Sequence, residues 1–491
     1  MAHPSASDLE IEELDSDGHP ITSFKFESTS RQLRRVSPQS SASSGATLLV
    51  RCLSPFLPAG YPSTVTPDYT PYQIYDSLQA FASTIAGLLA SRAVFVGMGV
   101  GSEDASLVTT MLLYIAQETI GRVATILFAH RFSQSIEAEV KFYRFLADIV
   151  NDVAFILDCM SPGLPLLGRV LTLCISNACR AICGVAGGSS KAILSSHFAK
   201  VGNIGELNAK DGSQETVVSL MGMWVGGLLV SNVQGTVETW ICLIPLLTFH
   251  LWANWKAVRS VRLNSLNMDR ANILFRGILA GQTKSLNEVG NEEAILGRGS
   301  RHHLGRFRIG SGVDELLLCM NANVSDTVQR HADLFQLVKL FQEEEYLLWF
   351  DVRTGEGVVW LKELASGETQ AKCFCHMARC LSTLTMSTEH TTQRKPKEQE
   401  VLGSKQSTES GVKRRSSSGK FDRTTPSSSS NEERDCTFQL LINTLEQNNK
   451  QWLKIRDQAE QAGWDLSLTN LVKGHGRRIR VGSPLEEKKD K

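Results

Sequence analysis

A mainly α-helical fold, a membrane-embedded bundle joined to a small α+β region, is predicted by three features of the sequence. Residues 55–280 form one apolar block with five helix-length hydrophobic stretches. Beyond about residue 300 the pattern shortens to strand-length runs mixed with helix. Ser-rich, charged tracts that cannot bury enough apolar surface to offset ordering entropy flank and interrupt these regions. The expected division is a flexible arm over 1–50, a helical domain over 51–280, the first part of the α+β region over 281–386, a disordered Ser-rich insert over 387–435 and a helical C-terminal part over 436–491.

Bulk properties fit this division. The chain has 491 residues, of which 42% are hydrophobic, enough for a sizeable core in two or three domains. Lys plus Arg balance Asp plus Glu at 51 each, so no global positive field favours nucleic acid. The N-terminus turns acidic at Asp8, Glu10, Glu12 and Glu13, unlike a secretory or organelle-targeting segment. Cys159, Cys174, Cys179, Cys183, Cys242 and Cys319 sit in apolar stretches, as suits small hydrophobes in a reducing compartment. An intracellular membrane is the expected location.

The five helical stretches are approximately 79–100, 106–129, 152–176, 216–233 and 236–255. Several approach the roughly 20 apolar residues that a bilayer core requires. Arg92 interrupts the first, and Pro162, Pro165 and Arg169 break the third. Glu118 and Arg122 lie inside the second, spaced to pair on one helix face, a polar pair able to line an intramembrane pathway. The fourth and fifth are the most lipid-compatible and form a helical hairpin through residues 231–235. Lys256, Arg259 and Arg262 then mark a cytosolic flank. Two pairs of glycines spaced four apart, Gly184 with Gly188 and Gly222 with Gly226, allow close helix approach.

In the α+β region, strands are expected at 306–309, 346–351 and 357–361, the last two paired across a turn at 353–356. Helices are expected at 377–384 and 437–462, the latter capped by Gly463.

Candidate chemistry lies in two polar segments. Asp68, Tyr72, Gln73 and Asp76 cluster among prolines, either as a preorganised binding loop or as an entry segment in which Asp76 caps the first helix. Lys210, Asp211, Ser213, Gln214 and Glu215 precede the fourth stretch, either as a helix start capped by Ser213 or as a site whose lysine amine bonds a carbonyl. Gly187-Gly188-Ser189-Ser190-Lys191 departs from phosphate-loop spacing and reads as helix packing. Gly97-Met98-Gly99-Val100-Gly101 reads as a turn. Cys373, Cys375, His376 and Cys380 lack structural zinc spacing, so no metal is assigned. No catalytic constellation and no cofactor are evident.

The blocks Phe56–Pro62, Tyr72–Gln79, Gly97–Gly101, Phe145–Asp152, Gly187–Lys191, Asn208–Thr216 and Ala257–Asn267 closely resemble, in order, those of the root-UVB-sensitive (RUS) family. The likeness is dense over 52–280 and thin beyond, at Ala462–Asp465. It implies roles like those of plant members in seedling UV-B responses, vitamin B6 homeostasis and auxin transport, with membrane segments and association among family members. The family's molecular activity is not established. The expected function is therefore a membrane-associated scaffold or interaction protein, or alternatively a small-molecule binding or transport protein linked to vitamin B6.

Overall fold

The computed structural model describes residues 9–14, 20–27, 32–36, 54–98, 107–233, 235–296, 307–321, 327–393, 429–472 and 476–481. The chain separates into two compact units, Met1–Leu263 and Asn264–Lys491.

Within the arm expected at 1–50, the described residues form a three-stranded antiparallel sheet: β1 (Leu9–Leu14), β2 (Pro20–Glu27) and β3 (Gln32–Val36). Its register sets Leu9 opposite Phe26 and Ile11 opposite Phe24, so alternate positions along β1 and β2 are apolar. The Ser-rich run at 37–44 lies outside the described residues.

Six long helices follow: α1 (Tyr69–Gly97), α2 (Leu107–Ala138), α3 (Val140–Met160), α4 (Leu166–Phe198), α5 (Ile204–Asn232) and α6 (Thr236–Ser260). They alternate in direction. Asp76 meets Arg144 near the starts of α1 and α3, whereas Asp158, late in α3, meets Arg180 midway along α4. α1 packs along α5, α6 and α3, and α4 packs along α3 and α2.

The third expected helix does not exist as one element. Pro162 and Pro165 fall in a short turn of 3-10 helix and the segment after it, so the chain folds back between α3 and α4. Pro245, in contrast, is accommodated inside α6. The fourth and fifth stretches are antiparallel as expected, yet both lie against α1. Gly222 and Gly226 face α1, where an added Cβ would lie 2.9 Å from the Thr84 Cβ and 2.6 Å from the Leu88 Cδ1, respectively. Gly184 and Gly188 meet nothing within 4 Å, so that pair mediates no close approach among the described residues.

Four of these helices are long and apolar enough to cross a membrane: α1, α2 from Thr110, α4 and α6. α2 is the most outward-facing, with Met111, Leu112, Ile115, Ile126 and Leu127 exposed.

The second unit begins earlier than expected. α7 (Met268–Leu279) belongs to it because Phe275 packs against Phe374 and Trp452, with ring centroids at 6.0 and 6.4 Å. After it come α8 (Leu286–Glu292), β4 (Phe307–Ile309), α9 (Val313–Asn321), α10 (Thr327–Leu340), β5 (Tyr346–Asp351), β6 (Glu356–Lys362), α11 (Gly367–Gln393), α12 (Ser429–Gln461) and β7 (Arg478–Ile479). β5 and β6 pair antiparallel across the expected turn, where Gly355 supplies a positive φ of 68°. β4 and β7 both pair parallel to β6, at successive positions along it. α9 to α12 pack against β5, so its residues Tyr346–Phe350 are buried without the alternation of a half-exposed strand. α11 and α12 extend into the margins of the expected insert, and 394–428 lie outside the described residues.

The thiol and imidazole run at 373–380 faces this core. His376 is fully buried, with Nδ1 3.1 Å from the Tyr346 hydroxyl and Nε2 2.9 Å from Thr444 Oγ1. Thr444 gives its own proton to the Leu440 carbonyl, so it accepts from Nε2–H while Tyr346 donates to Nδ1. That arrangement satisfies a neutral ring. Burial, followed by the charges of Arg379 and Lys372, pushes the His376 pKa down to about 3 from its ordinary 6.5.

Between those values the unfolded chain binds a proton that the folded one refuses, so stability falls as pH drops from 6.5 toward 3. His376→Asn is expected to flatten this acid limb even though it lowers stability at neutral pH. Tryptophan fluorescence during acid titration reads the slope, and an unchanged slope would contradict the assignment.

Candidate functional site

The polar side chains of the helical unit converge on α3. Arg144, Asp148 and Asp152 are spaced four apart, which puts all three on one face of this helix. The Arg144 guanidinium donates to Asp76 (2.6 Å), Asp148 (3.0 Å), the Tyr72 hydroxyl (3.3 Å) and Gln79 (3.4 Å). All five residues are buried. The planar fork suits Arg for such a hub, because a lysine presents only a point charge.

The next step along α3 is Asp152, whose Oδ1 lies 2.8 Å from Nδ1 of His250 on α6. The contact is close but not aligned as a hydrogen bond, and it becomes an ion pair only when the imidazole carries a second proton. Asp148 reaches the other nitrogen of His250 at 4.0 Å. Asn254, one turn further along α6, donates to the Arg144 carbonyl at 3.4 Å.

Near the other end of α3, Asp158 pairs with Arg180 of α4, whose guanidinium also lies 5.6 Å over the Phe155 ring. Both charges line a cavity of about 410 Å³ shared by residues of α1, α3, α4 and α5, among them Thr84, Leu88 and Met223. From Arg144 to Asp158 the column covers about 21 Å at the helical rise per residue.

The two polar segments singled out in the sequence meet beside this column. Gln73 hydrogen-bonds Asp211, and Asp211 also holds Lys191 at 2.8 Å. Glu215 takes the same lysine at 2.7 Å. Lys191 thus sits inside α4, not at the helix N-terminus that a phosphate cradle needs.

Several expected roles change. α1 starts at Tyr69, so Asp76 is an interior helix residue bound to Arg144 and caps nothing. α5 starts at Ile204, so Ser213 is likewise interior and donates to the Ala209 carbonyl. Lys210 donates to the Pro55 carbonyl (2.8 Å) and Gln214 to the Phe56 carbonyl (2.5 Å), so both fasten the entry segment. Removal of the Lys210 amine in Lys210→Ala is expected to cost within about 1 kcal/mol, the worth of one exposed hydrogen bond, read as a small shift in melting temperature.

Asp68 occupies the cap position of α1 without capping it. It accepts from the Arg262 amide at 2.6 Å and contacts His197 Nε2 at 3.0 Å. Burial raises its pKa, but the bond and charge of His197, with help from Thr66 and the Arg262 amide, outweigh burial and leave it lowered. Glu118 and Arg122 pair at 3.7 Å on an exposed part of α2 and do not join the column.

Sequence reasoning missed Arg144, Asp148, Asp152, Asp158, Lys191 and His250 as site residues. Charges recurring every four residues in the otherwise apolar Phe142–Cys159 stretch were the available signal. Their partners come from helices remote in sequence, which a linear reading does not pair. Among the described residues, no group of three or more His, Cys, Asp and Glu is placed to hold a metal ion.

Fold and site together define a class of helical protein in which helices long and apolar enough to cross a membrane surround a buried column of ionisable groups. Residues 42–282 match the family model described as a vitamin B6 photo-protection and homoeostasis domain. The chain belongs to the root-UVB-sensitive family through this segment. It is 34% identical over 248 residues to protein root UVB sensitive 3 of Arabidopsis thaliana, covering 50% of this chain and 56% of the relative. It is 38% identical over 249 residues to RUS family member 1 of Dictyostelium discoideum, covering 49% and 47%. Protein root UVB sensitive 6 of Arabidopsis thaliana is 24% identical over 321 residues, covering 65% and 61%. The matches thus span about half the length of the first two relatives. No solved structure matches the chain.

Proposed function

We propose that the helical unit is a membrane-embedded module that binds a small charged solute and passes it along the α3 column. One observation carries this reading: buried ionisable side chains recur along α3 and end at a cavity, two of whose walls, α1 and α4, are helices long and apolar enough to span a bilayer. Ionisable groups at membrane depth are costly and cluster where ions or polar solutes move.

The column is also short of positive charge. Asp76, Asp148 and Asp152 oppose one guanidinium, Arg144, so a proton on His250 or an incoming cation improves the balance. A proton-coupled solute fits that deficit. The family description points to a vitamin B6 compound as the solute to test first.

The test is uptake of labelled pyridoxine by proteoliposomes containing the full chain, with and without a pH gradient. Saturable, gradient-dependent uptake that Asp148→Asn abolishes and Lys210→Ala preserves is the expected outcome. Uptake no greater than in empty vesicles, or unaffected by Asp148→Asn in correctly inserted protein, would overturn the proposal.

A second reading, as an interaction protein, is favoured by the exposed apolar face of α2. A family member docked there would protect a cysteine introduced at Met111 from alkylation, whereas lipid alone would leave labelling unchanged when the partner is co-expressed.

A further inference from the structure

The cavity at the far end of the α3 column is lined by a carboxylate that is only half satisfied. Asp158 has 2% of its side chain exposed, and one of its oxygens, Oδ2, accepts from Arg180. The other, Oδ1, is buried and has no hydrogen-bond partner among the described residues. Ser176, which takes an Arg180 N–H at 3.3 Å, donates its own proton to the Ala154 carbonyl at 3.1 Å and has none left for Asp158. A buried carboxylate oxygen without a donor is unfavourable, so this one points to a ligand that supplies an N–H or O–H.

The same cavity presents the opposite charge. Arg180 also lines it, with 36% of its side chain exposed, and among the described residues only Asp158 and Ser176 accept from its five N–H groups. Leu88, Phe95, Phe155 and Met223 make much of the remaining wall apolar, and the volume of about 410 Å³ lies within the range of small-ligand sites. A purely cationic ligand would be repelled by the guanidinium, and a purely anionic one by the carboxylate. A ligand carrying both charges satisfies both groups.

Resting on the reading of the column as a solute path, we propose that this cavity is where the solute is held and that the solute is a small zwitterion built on one flat ring. Its cationic N–H pairs with Asp158 Oδ1, its anionic oxygen takes N–H groups of Arg180, and its ring lies among Leu88, Phe155 and Met223. Ser91 lines the cavity from the exposed side of α1, so bulk introduced there closes the space without touching either charge.

The experiment measures binding of labelled pyridoxine to the purified full chain in detergent by equilibrium dialysis. At neutral pH the ring of this probe carries a protonated nitrogen and an ionised hydroxyl. Benzylamine, a cation alone, and benzyl alcohol, an uncharged ring, serve as competitors. Saturable pyridoxine binding is expected, weakened about tenfold or more by Asp158→Asn, by Arg180→Gln and by Ser91→Phe, with both competitors at least about tenfold weaker than pyridoxine. Thermal melts identify the variants that remain folded, and Ser91→Phe decides if the charge variants do not fold. Absence of saturable binding by the folded wild-type chain, either competitor matching pyridoxine, or affinity unchanged in folded Ser91→Phe would each overturn the assignment. Binding as expected without uptake by vesicles would remove conduction and keep the site. Uptake that Asp148→Asn abolishes, with affinity untouched by Ser91→Phe, would keep conduction and overturn the site.

Discussion

Replacement of Arg144 by alanine is expected to destroy the folded helical unit. The substitution leaves Asp76 and Asp148 buried without the guanidinium that holds both, and the Tyr72 hydroxyl and Gln79 lose a donor. Breaking a buried pair by removing one partner costs about 3–5 kcal/mol, a large share of the roughly 5–15 kcal/mol that keeps a domain folded. Arg144→Lys is expected to recover only part of that stability, because one ammonium cannot reproduce the four directed contacts. The measurement is the melting temperature of the detergent-solubilised chain, with abundance in the membrane fraction as a second reading. An Arg144→Ala protein that melts like the wild type would show that the network holds nothing together.

The second large effect is steric. Gly222→Val is expected to separate α1 from α5, because a Cβ at that position would meet the Thr84 Cβ at 2.9 Å and the Phe81 carbonyl at 3.2 Å. Neither group can move without its helix. Overpacking of this kind costs about 1–3 kcal/mol, and the branched side chain adds bulk beyond the Cβ. Gly226→Ala should be milder, since its nearest neighbour is the movable end of Leu88, and Gly227→Ala should be neutral, having nothing within 4 Å. Melting temperatures in the order Gly227→Ala, Gly226→Ala, Gly222→Val, highest to lowest, check the geometry. A Gly222→Val protein as stable as Gly227→Ala would contradict it.

The same glycines indicate how far the sequence could be read. Spacing four apart correctly marked Gly222 and Gly226 as a close-packing face, yet marked Gly184 and Gly188 equally, and an added Cβ at either of those meets nothing within 4 Å among the described residues. Spacing fixes which residues share a face but not which face a neighbouring helix covers. The β5–β6 hairpin and Gly463, with its φ of 94°, were readable because turn and cap chemistry are local.

Helix boundaries were harder. Asp76 and Ser213 have good capping side chains, but α1 and α5 begin earlier, and tertiary partners take Asp76 into the interior instead. Asp68, which does stand at the cap position, spends its carboxylate on His197 and the Arg262 amide. The candidate site was half legible. Its two polar segments meet through Gln73 and Asp211, but their link to α4 through Lys191, and the column centred on Arg144, join different helices, with partners up to 110 positions apart. Only the fold supplies those pairings.

Embedding of the helical unit in a bilayer is the claim on which the column's function rests, and alkaline carbonate extraction of membranes from cells expressing the full chain tests it most directly. Retention in the membrane pellet is the predicted result, since four helices long and apolar enough to span would anchor the chain against loss of peripheral contacts. Release into the supernatant would contradict it and make the apolar helices the core of a soluble protein.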